Sequence, residues 1–173
     1  MKRISIGAGH TVTITGTVAG ALLTIYVIYA PFPARFLAAL AAFLTLWFFP
    51  HTLAHYITGT VLGIRFRYYF VGKSSLRKIS GPLSLIADRV PVLGIKVDRM
   101  SLSRVSPTSR LIMFSSGAIA SSILPYIPSI TLYYVDELWG TLLLFLATLN
   151  TVFTIYFSPK VGDIRRGLDS LRM

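Results

Sequence analysis

The chain has no cysteine and no glutamine, and among its 173 residues it has one asparagine, Asn150, and one glutamate, Glu137. The missing cysteine excludes disulfides and any thiolate metal site. Scarcity of thiols and side-chain amides is a compositional habit of thermophile and archaeal-type proteins. Charge is scarce too, at 13 % of residues, while hydrophobic residues make up 54 %. A soluble domain carries about 25 % charged residues, so this balance excludes an ordinary soluble fold. Acid is rarest of all: six Asp and Glu stand against 17 Lys and Arg, a formal charge of +11.

Such an excess of cations raises nucleic acid as a partner, but no basic, aromatic-interleaved soluble module is visible, and nucleic acid is excluded on that ground. The cations fall between long apolar runs, as in proteins whose loops face an anionic cytosolic leaflet. We therefore expect one α-helical integral membrane domain over residues 1–173, in contact with membrane lipids, with about four transmembrane helices. The expected spans are 11–30, 35–63, 111–132 and 138–157.

Between the second and third spans lies a basic loop, 65–110. It holds Arg65, Arg67, Lys73, Arg77, Lys78, Arg89, Lys96, Arg99, Arg104 and Arg110 against Asp88 and Asp98 alone. The segments Ile64 to Val71 and Val92 to Val97 are rich in β-branched and aromatic residues and predict a small β-hairpin or sheet inserted on the cytosolic side. The short acidic turn at Asp136 and Glu137 belongs on the opposite side. Both termini then fall in the cytosol, and every basic cluster except Arg35 obeys the positive-inside rule. Ser158, Pro159 and Gly162 predict a break after span four, with a short basic tail over 158–173. His10 reads as an interfacial residue with no ligand role.

Within the second span, Phe49-Pro50-His51-Thr52-Leu53-Ala54-His55 places two imidazoles four residues apart on one helix face. That is the spacing with which a single helix presents two ligands to a metal ion. His55 lies roughly 15 Å, and His51 roughly 21 Å, along the helix from Arg65, deep enough that each ring needs a partner or a polar cavity. Pro50 is expected to kink the helix and free a carbonyl one turn earlier, which offers the rings a plain structural partner instead. Gly59 and Gly63 form a small-xxx-small pair suited to close helix packing.

Three segments, in order, resemble the site-2 protease family of intramembrane zinc metallopeptidases. His51-Thr52-Leu53-Ala54-His55 is similar to the family's histidine-glutamate-x-x-histidine helix. Ser116-Gly117-Ala118-Ile119-Ala120-Ser121 is similar to its alanine-glycine-proline-x-alanine-asparagine segment. Gly162-Asp163-Ile164-Arg165-Arg166 resembles its aspartate-glycine-glycine-arginine turn. The resemblance covers about residues 36 to 172. It implies zinc held by His51, His55 and Asp163, and a cleft in which Gly117 and Ser121 hold a transmembrane segment of another protein.

The departures bear on activity. Thr52 stands where the family has its general-base glutamate, and a hydroxyl is no base near neutral pH. Ser121 replaces the asparagine that in the family helps hold the substrate strand. The resemblance therefore implies a catalytically impaired relative, a pseudoprotease. If instead some slow cleavage survives, Thr52→Glu is expected to increase it. The alternative is a metal-free scaffold or assembly subunit whose basic loop docks a cytosolic partner or anionic lipid. A transporter fits less well, since no internal repeat is present. One geometric tension stands out: a span four that ends at Phe157 leaves Asp163 too far along the chain to meet the histidines, unless that helix unwinds early and the tail climbs roughly 15 Å.

Overall fold

The computed structural model describes residues 2–73 and 91–171, so Arg77, Lys78, Asp88 and Arg89 of the basic loop lie outside the described residues. The chain opens on a three-residue strand, β1 (Lys2–Ile4), and enters α1 (Ile6–Tyr29) at once. Ser5 caps α1 by accepting from the Ala8 amide at 3.3 Å. The helix thus starts five residues before the expected span. Its threonines hide their hydroxyls by donating back one turn, Thr13 to the Gly9 carbonyl at 3.0 Å, Thr17 to Thr13 at 2.8 Å and Thr24 to Gly20 at 2.8 Å. Polar side chains are thereby satisfied inside an otherwise apolar helix.

The second helix, α2 (Ala34–Val61), packs along α1. It remains helical on both sides of Pro50, which is buried within it. Its end is set by Gly63, whose φ of 81° is left-handed. There the Ile64 amide reaches back to the Gly59 carbonyl at 2.8 Å, a glycine-dependent helix stop.

Two strands follow, β2 (Phe66–Lys73) and β3 (Pro91–Val97). They pair antiparallel as expected, with Val71 opposite Leu93 and Phe70 opposite Gly94. The sheet also has a strand that the sequence reading missed. β1 pairs antiparallel with β2, Arg3 opposite Phe70, to give the order β1-β2-β3. Fully buried Tyr69 pins β2 against α1 at Gly9.

A short helix, α3 (Arg99–Arg104), leads to α4 (Pro107–Ile123). Ser106 caps α4 through the Ser109 amide at 3.1 Å, and Pro107 occupies the first turn, where a missing N–H costs nothing. The third apolar stretch is interrupted at Leu124 and Pro125 and continues as α5 (Tyr126–Val135). Asp136 then caps α6 (Glu137–Val161) by accepting from the Trp139 amide at 3.3 Å. The chain closes on α7 (Asp163–Ser170). Arg172 and Met173, the end of the expected basic tail, lie outside the described residues.

The expected break over Ser158 to Asp163 falls at its far end, and the expected end of span four at Phe157 is corrected. α6 stays helical through Pro159 to Val161, because only one backbone bond is lost in its last turn, and the break falls at Gly162. Among the described residues four stretches are long and apolar enough to cross a membrane: Ile6–Tyr29, Ala34–Val61, Pro107–Val135 and Glu137–Val161. The main buried cluster (Val27, Ala39, Phe43, Leu132, Leu143 and Ala147) ties α1, α2, α5 and α6 together near the start of α2, where Arg35 lies. Arg35, the one cation outside the basic clusters, donates to the carbonyls of Ala30 at 3.0 Å and Val135 at 2.9 Å. It therefore fastens one end of the bundle, and the sheet lies at the other.

Candidate metal centre

The fourfold spacing on α2 turns His51 and His55 toward α4 and α7. His55 is nearly enclosed, its side chain 9 % exposed, while His51 is 30 % and Asp163 20 % exposed. The two Nε2 atoms lie 3.3 Å apart. Asp163 Oδ2 lies 3.1 Å from His51 Nε2 and 3.4 Å from His55 Nε2. A metal held tetrahedrally by imidazole and carboxylate donors at about 2.0–2.1 Å sets those donors roughly 3.3 Å from one another. All three separations fall within 0.2 Å of that edge. Among the described residues this is the group of histidine and carboxylate side chains placed to hold a metal ion.

The outer ring nitrogens decide where the lone pairs point. His55 Nδ1 is 2.7 Å from the Met113 carbonyl, which can only accept, so Nδ1 carries the proton. His51 Nδ1 is 3.2 Å from the Ser121 hydroxyl. That hydroxyl donates to the Gly117 carbonyl at 3.0 Å, which leaves its oxygen to accept from His51. In the neutral rings the Nε2 lone pairs are then both aimed at the same point, the outer-partner arrangement of metal-bound histidines. Arg166 Nη1 holds the other carboxylate oxygen, Asp163 Oδ1, at 2.7 Å. Three lone pairs thus converge on one point, a donor set suited to a cation. Burial raises the Asp163 carboxyl pKa; where the rings instead carry protons on Nε2, their hydrogen bonds and charge outweigh burial and hold the carboxyl far below the usual carboxylate range.

The distance objection raised by the sequence is answered by α7. Asp163 is its first residue, immediately after the break at Gly162, and the Ile164 amide donates to the Ser158 hydroxyl at 3.2 Å across that break. Gly167 then lies against Leu111 near the start of α4, and Ser170 is buried. The tail is therefore packed along α4. Asp163 sits at the level of His55, itself seated against Gly117, and Gly167 lies lower, at Leu111. α6 does not unwind early to achieve this.

The remaining expected site residues are placed as follows. Gly117 lies so close beneath the His55 ring that a Cβ there would overlap it. Ser121, one turn on, is the hydrogen-bond partner of His51. Thr52 is 1 % exposed, and its hydroxyl donates to the Leu93 carbonyl on β3 at 2.9 Å, so it is committed to the sheet. Glu137 begins α6 beside the turn that Arg35 fastens, roughly 24 Å along α2 from His51.

Two positions were missed. Arg166 is three residues from Asp163, a spacing that signals a helical pair. Asn150 donates to the Ser121 carbonyl at 2.9 Å, and its signal was to be the only amide side chain of the sequence, inside an apolar stretch. No protein family, curated protein or solved structure compared with the chain matches it.

Proposed function

We propose that this is a multi-pass membrane protein akin to the site-2 proteases, with one zinc ion held by His51, His55 and Asp163 and with peptidase activity largely or wholly lost. The convergence of three ligand atoms at 3.1–3.4 Å, with both Nδ1 positions already engaged, carries the metal part of this reading. Imidazole and carboxylate suit several divalent metals, and a tetrahedral N2O set with room for a fourth ligand favours zinc. Bound there, zinc would supply Lewis acidity toward a carbonyl oxygen.

The chain's own residues supply less. Peptide hydrolysis needs a group to take a proton from water and return one to the leaving amine. Thr52 is no base near neutral pH, its hydroxyl is tied to Leu93, and Glu137 is at the other end of the bundle. Loss of a general base removes about 10²–10⁴-fold in rate. The retained function is then capture of a membrane segment beside α2 and α4, with the basic end of the bundle, and both termini, in the cytosol.

Two measurements on purified protein test this. Zinc content of the wild type is expected to be one per chain and to be lost in His51→Ala. Cleavage of a model transmembrane segment is expected to be at or near background. A wild type that holds no more zinc than His51→Ala overturns the metal reading and leaves a metal-free scaffold. Robust cleavage overturns the pseudoprotease reading.

A further inference from the structure

Helix α7 carries three distinct arcs. Asp163, Gly167 and Ser170, spaced i, i+4, i+7, face the bundle. Ile164, Leu168 and Leu171 recur at the same spacing about 100° further round. Of these, Leu168 and Leu171 are 38 % and 46 % exposed. The third arc carries Arg165 and Arg166, both well exposed, with Asp169 between them and paired to Arg165. Just before the helix, the Lys160 ammonium lies 3.3 Å from the Tyr156 ring centroid, and Tyr156 is itself exposed. An exposed tyrosine with a lysine reaching past it marks the boundary between hydrocarbon and water. Ile155 and Tyr156, near the end of α6, are exposed as well.

Among the described residues the charge left without an opposite partner at this end is positive. Asp98 faces Arg67, Asp163 faces Arg166 and Asp169 faces Arg165. Lys160, Arg104 and Arg110 have no acidic partner among the described residues. A soluble acidic protein could match the cations, but it would have to enter lipid to cover the leucines. An anionic lipid presents phosphate and acyl chain together.

We propose that α7 seats on an anionic bilayer leaflet, with Lys160, Arg165 and Arg166 on lipid phosphates and Leu168 and Leu171 in the acyl boundary, and that this seating holds Asp163 against the two histidines. The coupling to Asp163 rests on the metal-centre reading above; the seating itself rests only on the bundle being membrane-embedded.

Because the chain has no cysteine, a nitroxide on Leu168→Cys reports a single position. The full-length protein is reconstituted in vesicles of phosphatidylcholine with phosphatidylglycerol and, separately, of phosphatidylcholine alone. With the anionic lipid, the label is expected to collide with oxygen and to be shielded from a water-soluble nickel complex. Without it, nickel collisions rise and zinc affinity falls about tenfold. Arg165→Gln with Lys160→Gln is expected to reproduce the neutral-lipid result in anionic vesicles.

A label at the same depth in both vesicle types, or open to nickel in both, overturns the seating. Inorganic phosphate that restores shielding in phosphatidylcholine also overturns it, by pointing to a free-anion site. A label that moves while zinc affinity stays constant overturns the coupling. A control label on Leu146→Cys in α6 separates these results from failure of the membrane reading, because it is lipid-buried in both vesicle types if the bundle spans the bilayer. Absence of zinc with a lipid-dependent label depth isolates failure of the metal reading.

Discussion

The Thr52 hydroxyl donates to the Leu93 carbonyl across 2.9 Å and joins the histidine helix to the edge of the sheet. Thr52→Ala removes this hydrogen bond at a part-buried place, at an expected cost of about 0.5–1.5 kcal/mol. Thr52→Glu brings a carboxylate against the carbonyl oxygen, two acceptors facing each other. It is expected to lower thermal stability in detergent more than the alanine change does, and to give no gain in cleavage of a model transmembrane segment. A folded Thr52→Glu protein that cleaves would show that β3 yields and that the side chain can turn to the metal.

Gly117 gives His55 the space in which its ring lies. Gly117→Ala would displace the ring and break the 2.7 Å bond from Nδ1 to the Met113 carbonyl. Overpacking of this kind costs about 1–3 kcal/mol. Zinc affinity is expected to fall at least tenfold, measured by competition with a chelator of known affinity, while His51 retains its bond to Ser121.

Ser121 and Arg166 orient ligands without touching the metal position. Removing such outer partners typically costs 10–100-fold in metal affinity. Ser121→Ala and Arg166→Gln are each expected to fall in that range. Because they act on different ligands, His51 and Asp163, the two losses should combine close to additively in free energy. Asn150→Leu, one step further out at the Ser121 carbonyl, should have the smaller effect on affinity.

The Asp98 carboxylate accepts from Arg67 at 2.7 Å and ties β2 to the start of α3. The Arg67 hydrogen bond holds its pKa below the ordinary carboxylate value, against a smaller opposing effect of burial. A depressed folded-state pKa stabilises above the unfolded value, and the contribution disappears as pH falls through the folded one. Wild type and Asp98→Asn are therefore expected to differ most in thermal stability at neutral pH and to converge in acid, below the usual carboxylate range. Equal gaps at both ends of the pH scale would contradict this.

The sequence exposed some of this arrangement and hid the rest for physical reasons. His51 and His55 were legible because fourfold spacing fixes a shared helix face. The four apolar stretches were legible because length and hydropathy suffice. β1 was not: three residues carry no period, and their pairing with β2 follows from where α1 docks. Asp163 was marked by resemblance alone. Its meeting with the histidines depends on Gly162 ending α6 and on Gly167 letting α7 lie on Leu111, which are packing facts. The commitment of Thr52 to Leu93 was also hidden. A residue next to a ligand on a helix points about 100° away from it, and what it meets there is decided by the fold. Ser121 was singled out for a substrate role, and the structure puts its hydroxyl on His51.

The most direct test of the metal centre is zinc X-ray absorption on protein purified without chelators and compared with Asp163→Ala. The expected first shell of the wild type has two imidazole nitrogens and carboxylate oxygen at about 2.0–2.2 Å, with the carboxylate contribution lost in the variant. A wild type that retains no zinc, or whose zinc shows no imidazole in its first shell, would contradict the central claim.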